Sequence, residues 1–129
     1  SFFNNIATAT SLNSDAYGGA TSGWNVRFTN CNFSNNTAPS GGAFGNFMNN
    51  NDQLIMDNCI LESNRATGDS DDSGGGAVFV FGSHLNNLIN ITNSAFYNNS
   101  AHMGGDIYLE KVSYSLDGSA YEEAWTHEC

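Results

Sequence analysis

Cations are almost missing from this chain. Lys plus Arg total 3 against 13 Asp plus Glu in 129 residues, a formal charge of −10. Phosphate binding needs clustered cations, so this balance argues against nucleic acid as a partner. It equally disfavours polyanionic sugars and anionic membrane surfaces. Long apolar runs are missing too: the clearest is "AVFVF", far short of the ~18 residues of a spanning helix. No membrane insertion by this segment is expected. No secretory signal is visible, so any targeting segment is expected outside this stretch. Proline occurs once, and chain reversals fall to other residues. Hydrophobic residues at 40% still suffice for a core, so the wealth of Asn and Ser does not imply disorder.

What is present repeats. Aligned on F-x-x-N, four copies give Phe2 with Asn5, Phe33 with Asn36, Leu61 with Asn64 and Phe96 with Asn99. Two residues before three of these aromatic or leucine positions stand Cys31, Cys59 and Ser94. Upstream, "VRFTNC", "LIMDNC" and "INITNS" share apolar-x-apolar, then Thr or Asp, then Asn. Downstream come Gly18–Gly19, Gly41–Gly42, Gly75–Gly76 and Gly104–Gly105, followed by short segments such as "AFGNF". Periods of this size signal a stacked architecture.

Each copy reads as three short strands. Val26/Phe28, Leu54/Met56 and Ile89/Ile91 alternate with more polar neighbours, as half-buried strands do. Asn30, Asn58 and Asn93 suit a bend, because Asn tolerates left-handed backbone. The last Asn of F-x-x-N is expected to make a second bend and the glycine pair a third. A helical period is lacking. The expected fold is all-β: a right-handed parallel β-helix, or solenoid, of about four coils, near 1–30, 31–58, 59–93 and 94–129. Like residues would then stack about 4.8 Å apart. Phe2, Phe33, Leu61 and Phe96 would form a core ladder, and Asn5, Asn36, Asn64 and Asn99 an amide ladder with each Asn bonding its neighbours.

Paired in register, F-x-x-N and G-G-A-[ILV] resemble the repeats of chlamydial polymorphic membrane proteins. The resemblance covers all four copies, although the fourth carries "GGDI". It implies a surface-exposed β-helix of the pectate-lyase-like architecture, often adhesive.

No residue set here demands catalysis. Asp69, Asp71 and Asp72 in "TGDSDDSGG" could offer oxygen ligands to Ca²⁺, yet they lack the D-x-[DN]-x-[DN]-G…E pattern; a solvated loop is the simpler reading. His84, His102 and His127 stand in no metal-ligand spacing. Glu122, Glu123 and Glu128 neighbour one another only in sequence and carry no glycosidase signature. No enzyme activity and no cofactor are expected. Sequons occur at Asn32, Asn35, Asn90 and Asn98; with 20 Asn and 23 Ser plus Thr, chance alone gives about 3.6. Their number therefore says nothing, but Asn35 and Asn98 share one repeat position.

Cys31, Cys59 and Cys129 form no zinc or C-x-x-C pattern. They suit either a thiol ladder or a disulfide between rungs, Cys31–Cys59 within one unit or Cys129–Cys31 between units. Joining the chain's end to its start, C-S-F-F-N-N repeats C-N-F-S-N-N of residues 31–36. Aromatic spacings of 31, 28 and 35 residues close with 35 again from Phe96 round to Phe2. The function this implies is a structural building block of a secreted filament or surface fibre. Copies of itself would stack head-to-tail or within a longer tandem array. The alternatives are an adhesin passenger, meeting glycans or a host surface, and a polysaccharide-active enzyme. Either way an extracellular or cell-surface location is expected.

Overall fold

A computed structural model describes residues 2–3, 18, 25–48, 52–68, 74–82 and 87–127. No helix occurs among them. The strands are β1 (Phe2–Phe3), β2 (Val26–Thr29), β3 (Asn32–Ser34), β4 (Thr37–Ala38), β5 (Phe44–Met48), β6 (Gln53–Asp57) and β7 (Ile60–Glu62). They continue with β8 (Arg65–Ala66), β9 (Val78–Gly82), β10 (Leu88–Thr92), β11 (Ala95–Tyr97), β12 (Ile107–Glu110), β13 (Ser113–Ser115) and β14 (Ala124–His127).

No strand pairs with its neighbour in the chain. Each pairs in parallel with its equivalent in the next copy. The first sheet runs β1-β3-β7-β11, the second β13-β10-β6-β2, and the third β14-β12-β9-β5. A two-residue pair, β4-β8, adds a short fourth strip beyond the three strands expected per copy.

Register follows the apolar alternation. In the second sheet Val26 pairs with Leu54 and Leu54 with Ile89, while Phe28 pairs with Met56 and Met56 with Ile91. Leu54, Met56, Ile89 and Ile91 are buried, whereas Gln53 and Leu88 on the same strands are exposed. In the first sheet Phe33 pairs with Leu61 and Leu61 with Phe96, all three buried. Phe2 pairs with Phe33 through the backbone. Val78, Val80, Ile107 and Leu109 of the third sheet join the same cluster, so inward residues of all three sheets share one core.

The third sheet is covered on its other face as well. Phe79 and Tyr108 are buried there, and Phe79, Tyr108 and Trp125 stack with centroids 4.9 and 4.5 Å apart. Offset stacks at such distances add to burial.

The bends carry left-handed backbone at Asn30, Asn58 and Asn93 (φ 56°, 55° and 51°), as their side chains favour. The second bend differs from expectation. Its left-handed residues are Asn35, Ser63 and Asn98 (φ 56°, 57° and 54°), one place before the last Asn of F-x-x-N. The reason is that Asn36 and Asn64 turn their amides into the interior, leaving the preceding residue to make the reversal. At the glycine pair the two residues answer different needs. Gly75 has φ 65°, and a Cβ on Gly76 would strike the carbonyl oxygen of Gly105.

The last section departs most. β14 lies in the third sheet, where Thr126 pairs with Leu109 and Trp125 with Tyr108. The second sheet instead receives β13, with Tyr114 opposite Ile89. Gly118 (φ 69°) then stands where Asn93 did, and Ala120 bridges to Ala95. Residues 94–129 therefore make two passes through the third sheet, β12 and β14, rather than the single coil expected. "DGSAY" is a further copy in which Gly replaces Asn and Tyr121 replaces Phe.

Candidate functional site

The most developed polar constellation is the amide ladder behind the first sheet. The backbone N–H and the Nδ2 of Asn36 both donate to Asn64 Oδ1, at 3.0 Å each. Asn64 repeats this on Asn99 Oδ1, at 2.8 and 3.1 Å. The Nδ2 of Asn64 also donates to the Phe33 carbonyl at 3.1 Å, and that of Asn99 to the Leu61 carbonyl at 2.9 Å. An amide suits this role because it offers both an acceptor and two donors. Asn5 lies outside the described residues.

Asp106 closes the ladder. It occupies the place of alanine in G-G-A, is buried, and takes a hydrogen bond from Asn99 Nδ2 at 2.9 Å. Its other oxygen accepts the backbone N–H groups of Glu122 and Glu123 at 2.6 and 3.2 Å. The "GGDI" departure thus has a structural role, which a motif comparison registers only as a mismatch.

A second ladder runs through the cysteine position. The Cys59 N–H donates to Ser94 Oγ at 3.1 Å, and the Ser94 N–H to Ser119 Oγ at 3.2 Å. Ser119 Oγ donates to the Ile91 carbonyl at 3.0 Å, and Cys59 Sγ faces the equivalent Phe28 carbonyl at 3.5 Å. Sulfur and hydroxyl here do the same work. Ser119 was not singled out from the sequence; the left-handed glycine before it was the available signal. Cys31 is half-buried and Cys59 buried, both free thiols. Burial pushes the Cys59 thiol up from its ordinary value. Cys129 lies outside the described residues. The strand before it, β14, belongs to the third sheet rather than the second.

The sequons fall into two groups. Asn35 and Asn98 are exposed at equivalent bends. Asn32 and Asn90 are half-buried within strands, and Asn90 Oδ1 is buried with no hydrogen-bond partner. Asp69, Asp71, Asp72, His84 and Glu128 lie outside the described residues. Among the described residues no group of three His, Cys, Asp or Glu could hold a metal ion. His102 is exposed, and Glu123 Oε1 accepts the Gly105 N–H at 3.2 Å. A depression of about 190 Å³ is lined by Asn25, Val26, Arg27, Gln53 and Ile55. It brings together no acid–base pair or nucleophile.

This is an arrangement that satisfies buried backbone, repeat after repeat. No family model matches the chain. No solved structure matches it either. The chain is 35% identical over 121 residues to metabotropic glutamate receptor-like protein R of Dictyostelium discoideum. The matched stretch is 93% of this chain and 7% of that relative's length.

Proposed function

We propose that this chain is a segment of a right-handed parallel β-helix, serving as a structural stacking module in the extracellular part of a longer surface protein. The observation that carries this reading is the pairing of each strand with its equivalent one copy away, around one core shared by three sheets. Parallel strands joined by crossovers within one sheet are right-handed in ~98% of cases, which supports the hand. Stacked repeats contact only their neighbours and so build length without a new core.

Two further points favour a module over a self-contained catalyst. Asn and Ser/Cys side chains go into inter-repeat bonds. The similar stretch in the receptor-like protein is a small part of a far longer chain. That likeness supports a tandem array within one chain over a head-to-tail filament.

Antibodies against this chain should label intact, unpermeabilised cells that make the protein. Beads coated with the chain should bind those cells no better than uncoated beads. Labelling only after permeabilisation would sink the surface reading, and strong bead binding would turn it towards adhesion.

A further inference from the structure

We propose that Asn35 and Asn98 are N-glycosylation sites that carry a stripe of oligosaccharide along one corner of the stack, and that Asn32 and Asn90 stay bare. The inference rests on the extracellular reading above and separates four sequons that are equal as motifs.

Asn35 and Asn98 are both exposed, both outside the strands, and both left-handed at the same bend. Each side chain therefore projects from a corner rather than from a sheet face. Neither side-chain amide makes a hydrogen bond among the described residues. The hydroxyl residues two places on are Thr37 and Ser100, in the short strip beside the corner. Ser63 holds the rung between them: the Asn35 N–H donates to the Glu62 carbonyl, and the Ser63 N–H to the Tyr97 carbonyl. Two rungs of about 4.8 Å put the two asparagines about 9.6 Å apart along the stack. The bare Ser63 leaves a gap between the two chains of sugar.

The other two sequons are engaged in the fold. Asn32 sits in β3, between β1 and β7, and its Oδ1 accepts the Ser34 hydroxyl at 3.0 Å. Asn90 sits in β10, between β6 and β13, with its Oδ1 buried, while its sequon threonine, Thr92, donates to Asp57 Oδ1 at 2.9 Å. A sugar on either amide would have to leave from the middle of a sheet.

The co-reactant is a lipid-pyrophosphate-linked oligosaccharide. The Asn Nδ2 forms a bond to the anomeric carbon and gives up one proton to a base of the transferring enzyme. The anomeric C–O bond breaks, and lipid pyrophosphate leaves with the electron pair. The product keeps an amide whose remaining N–H faces solvent.

The test is to secrete the full protein from a eukaryotic host, with a reporter sequon in a flexible tail, and release N-glycans enzymatically in heavy-oxygen water. Peptide mass spectrometry should find heavy-oxygen aspartate at positions 35 and 98 on most molecules, and unmodified Asn32 and Asn90. Equal occupancy at all four, or occupancy favouring 32 and 90, overturns the proposal. So does a glycosylated reporter with bare Asn35 and Asn98, which leaves the extracellular reading intact. A chain retained in the cytosol with a bare reporter overturns both. N35Q and N98Q, made singly, should each remove one glycan while secretion persists.

Discussion

Asn64 and Asn99 each carry four side-chain bonds in the ladder, and Asn64 stands at its middle. It accepts two from Asn36, and gives one to the Phe33 carbonyl and one to Asn99. Asn64→Ala would remove these four bonds from the interior. At about 0.5–1.5 kcal/mol for each of four hydrogen bonds, the expected loss is about 2–6 kcal/mol in urea unfolding. A loss near that of a surface substitution would contradict the ladder. Ser63 lies one residue earlier with φ 57°, a conformation Asn adopts more readily than Ser. Ser63→Asn should raise stability by about 0.5–1 kcal/mol, and it creates no sequon because Arg65 follows Asn64. Cys59 supplies a pH signature. Burial raises its pKa in the fold, so its contribution is fully present below the unfolded thiol value of about 8.5 and is lost as pH rises towards the folded value. Urea midpoints measured from neutral to alkaline pH should fall less steeply in Cys59→Ser, which keeps the hydroxyl geometry of Ser94. An unchanged alkaline slope would mean that Cys59 is not the group responsible.

Among the elements, the glycine pair shows how one repeat presses on the next. A Cβ on Gly76 would meet the Gly105 carbonyl and the backbone N of Ser100, whereas one on Gly105 would meet nothing nearer than Asn99 O at 3.5 Å. Gly76→Ala should therefore cost about 1–3 kcal/mol, as overpacking does, and Gly105→Ala no more than about 0.5 kcal/mol, as for an ordinary surface change. Equal effects in thermal melts would mean the repeats do not approach as closely as described. The strands themselves were legible because apolar alternation and Asn bends coincide in "LIMDNC" and "INITNS". The second bend was misplaced by one residue because sequence cannot separate an Asn that turns the chain from an Asn that turns inward. The final copy was missed because "DGSAYEE" keeps the turn with Gly118 but loses both Phe and the last Asn. Meanwhile "AWTHEC" ends on a cysteine as "VRFTNC" and "LIMDNC" do, and nothing local marks β14 as a strand of the third sheet. Its true place depends on Trp125 stacking over Tyr108, a long-range packing choice. The polar site was partly legible as an Asn ladder, but its closure by Asp106 depends on main-chain groups near residue 122 that no local motif encodes.

At the scale of the whole molecule, the proposed stack would build length by repetition around one shared core. Nearest-neighbour stacking predicts that a whole repeat can be removed while its neighbours rejoin. Residues 31–58 hold one strand from each sheet, β3, β4, β5 and β6. Deleting them joins Asn30 to Cys59, the same Asn–Cys step found at Asn30–Cys31 and Asn58–Cys59. β1 can then pair with β7, and β2 with β10, without a change of register. A deletion of 31–44 removes β3, β4 and the first residue of β5 and joins β2 directly to the rest of β5, so the first copies no longer align with the intact repeats that follow. The decisive measurement is circular dichroism with urea unfolding on both deletions beside the parent chain. The account predicts that loss of 31–58 keeps a β spectrum and a cooperative transition, with the long dimension shorter by about 4.8 Å in small-angle scattering, while loss of 31–44 weakens the β spectrum and lowers the urea midpoint well below that of the 31–58 deletion. Two deletions that unfold alike, or a 31–58 deletion that loses its β structure, would contradict a fold made of stacked, interchangeable repeats.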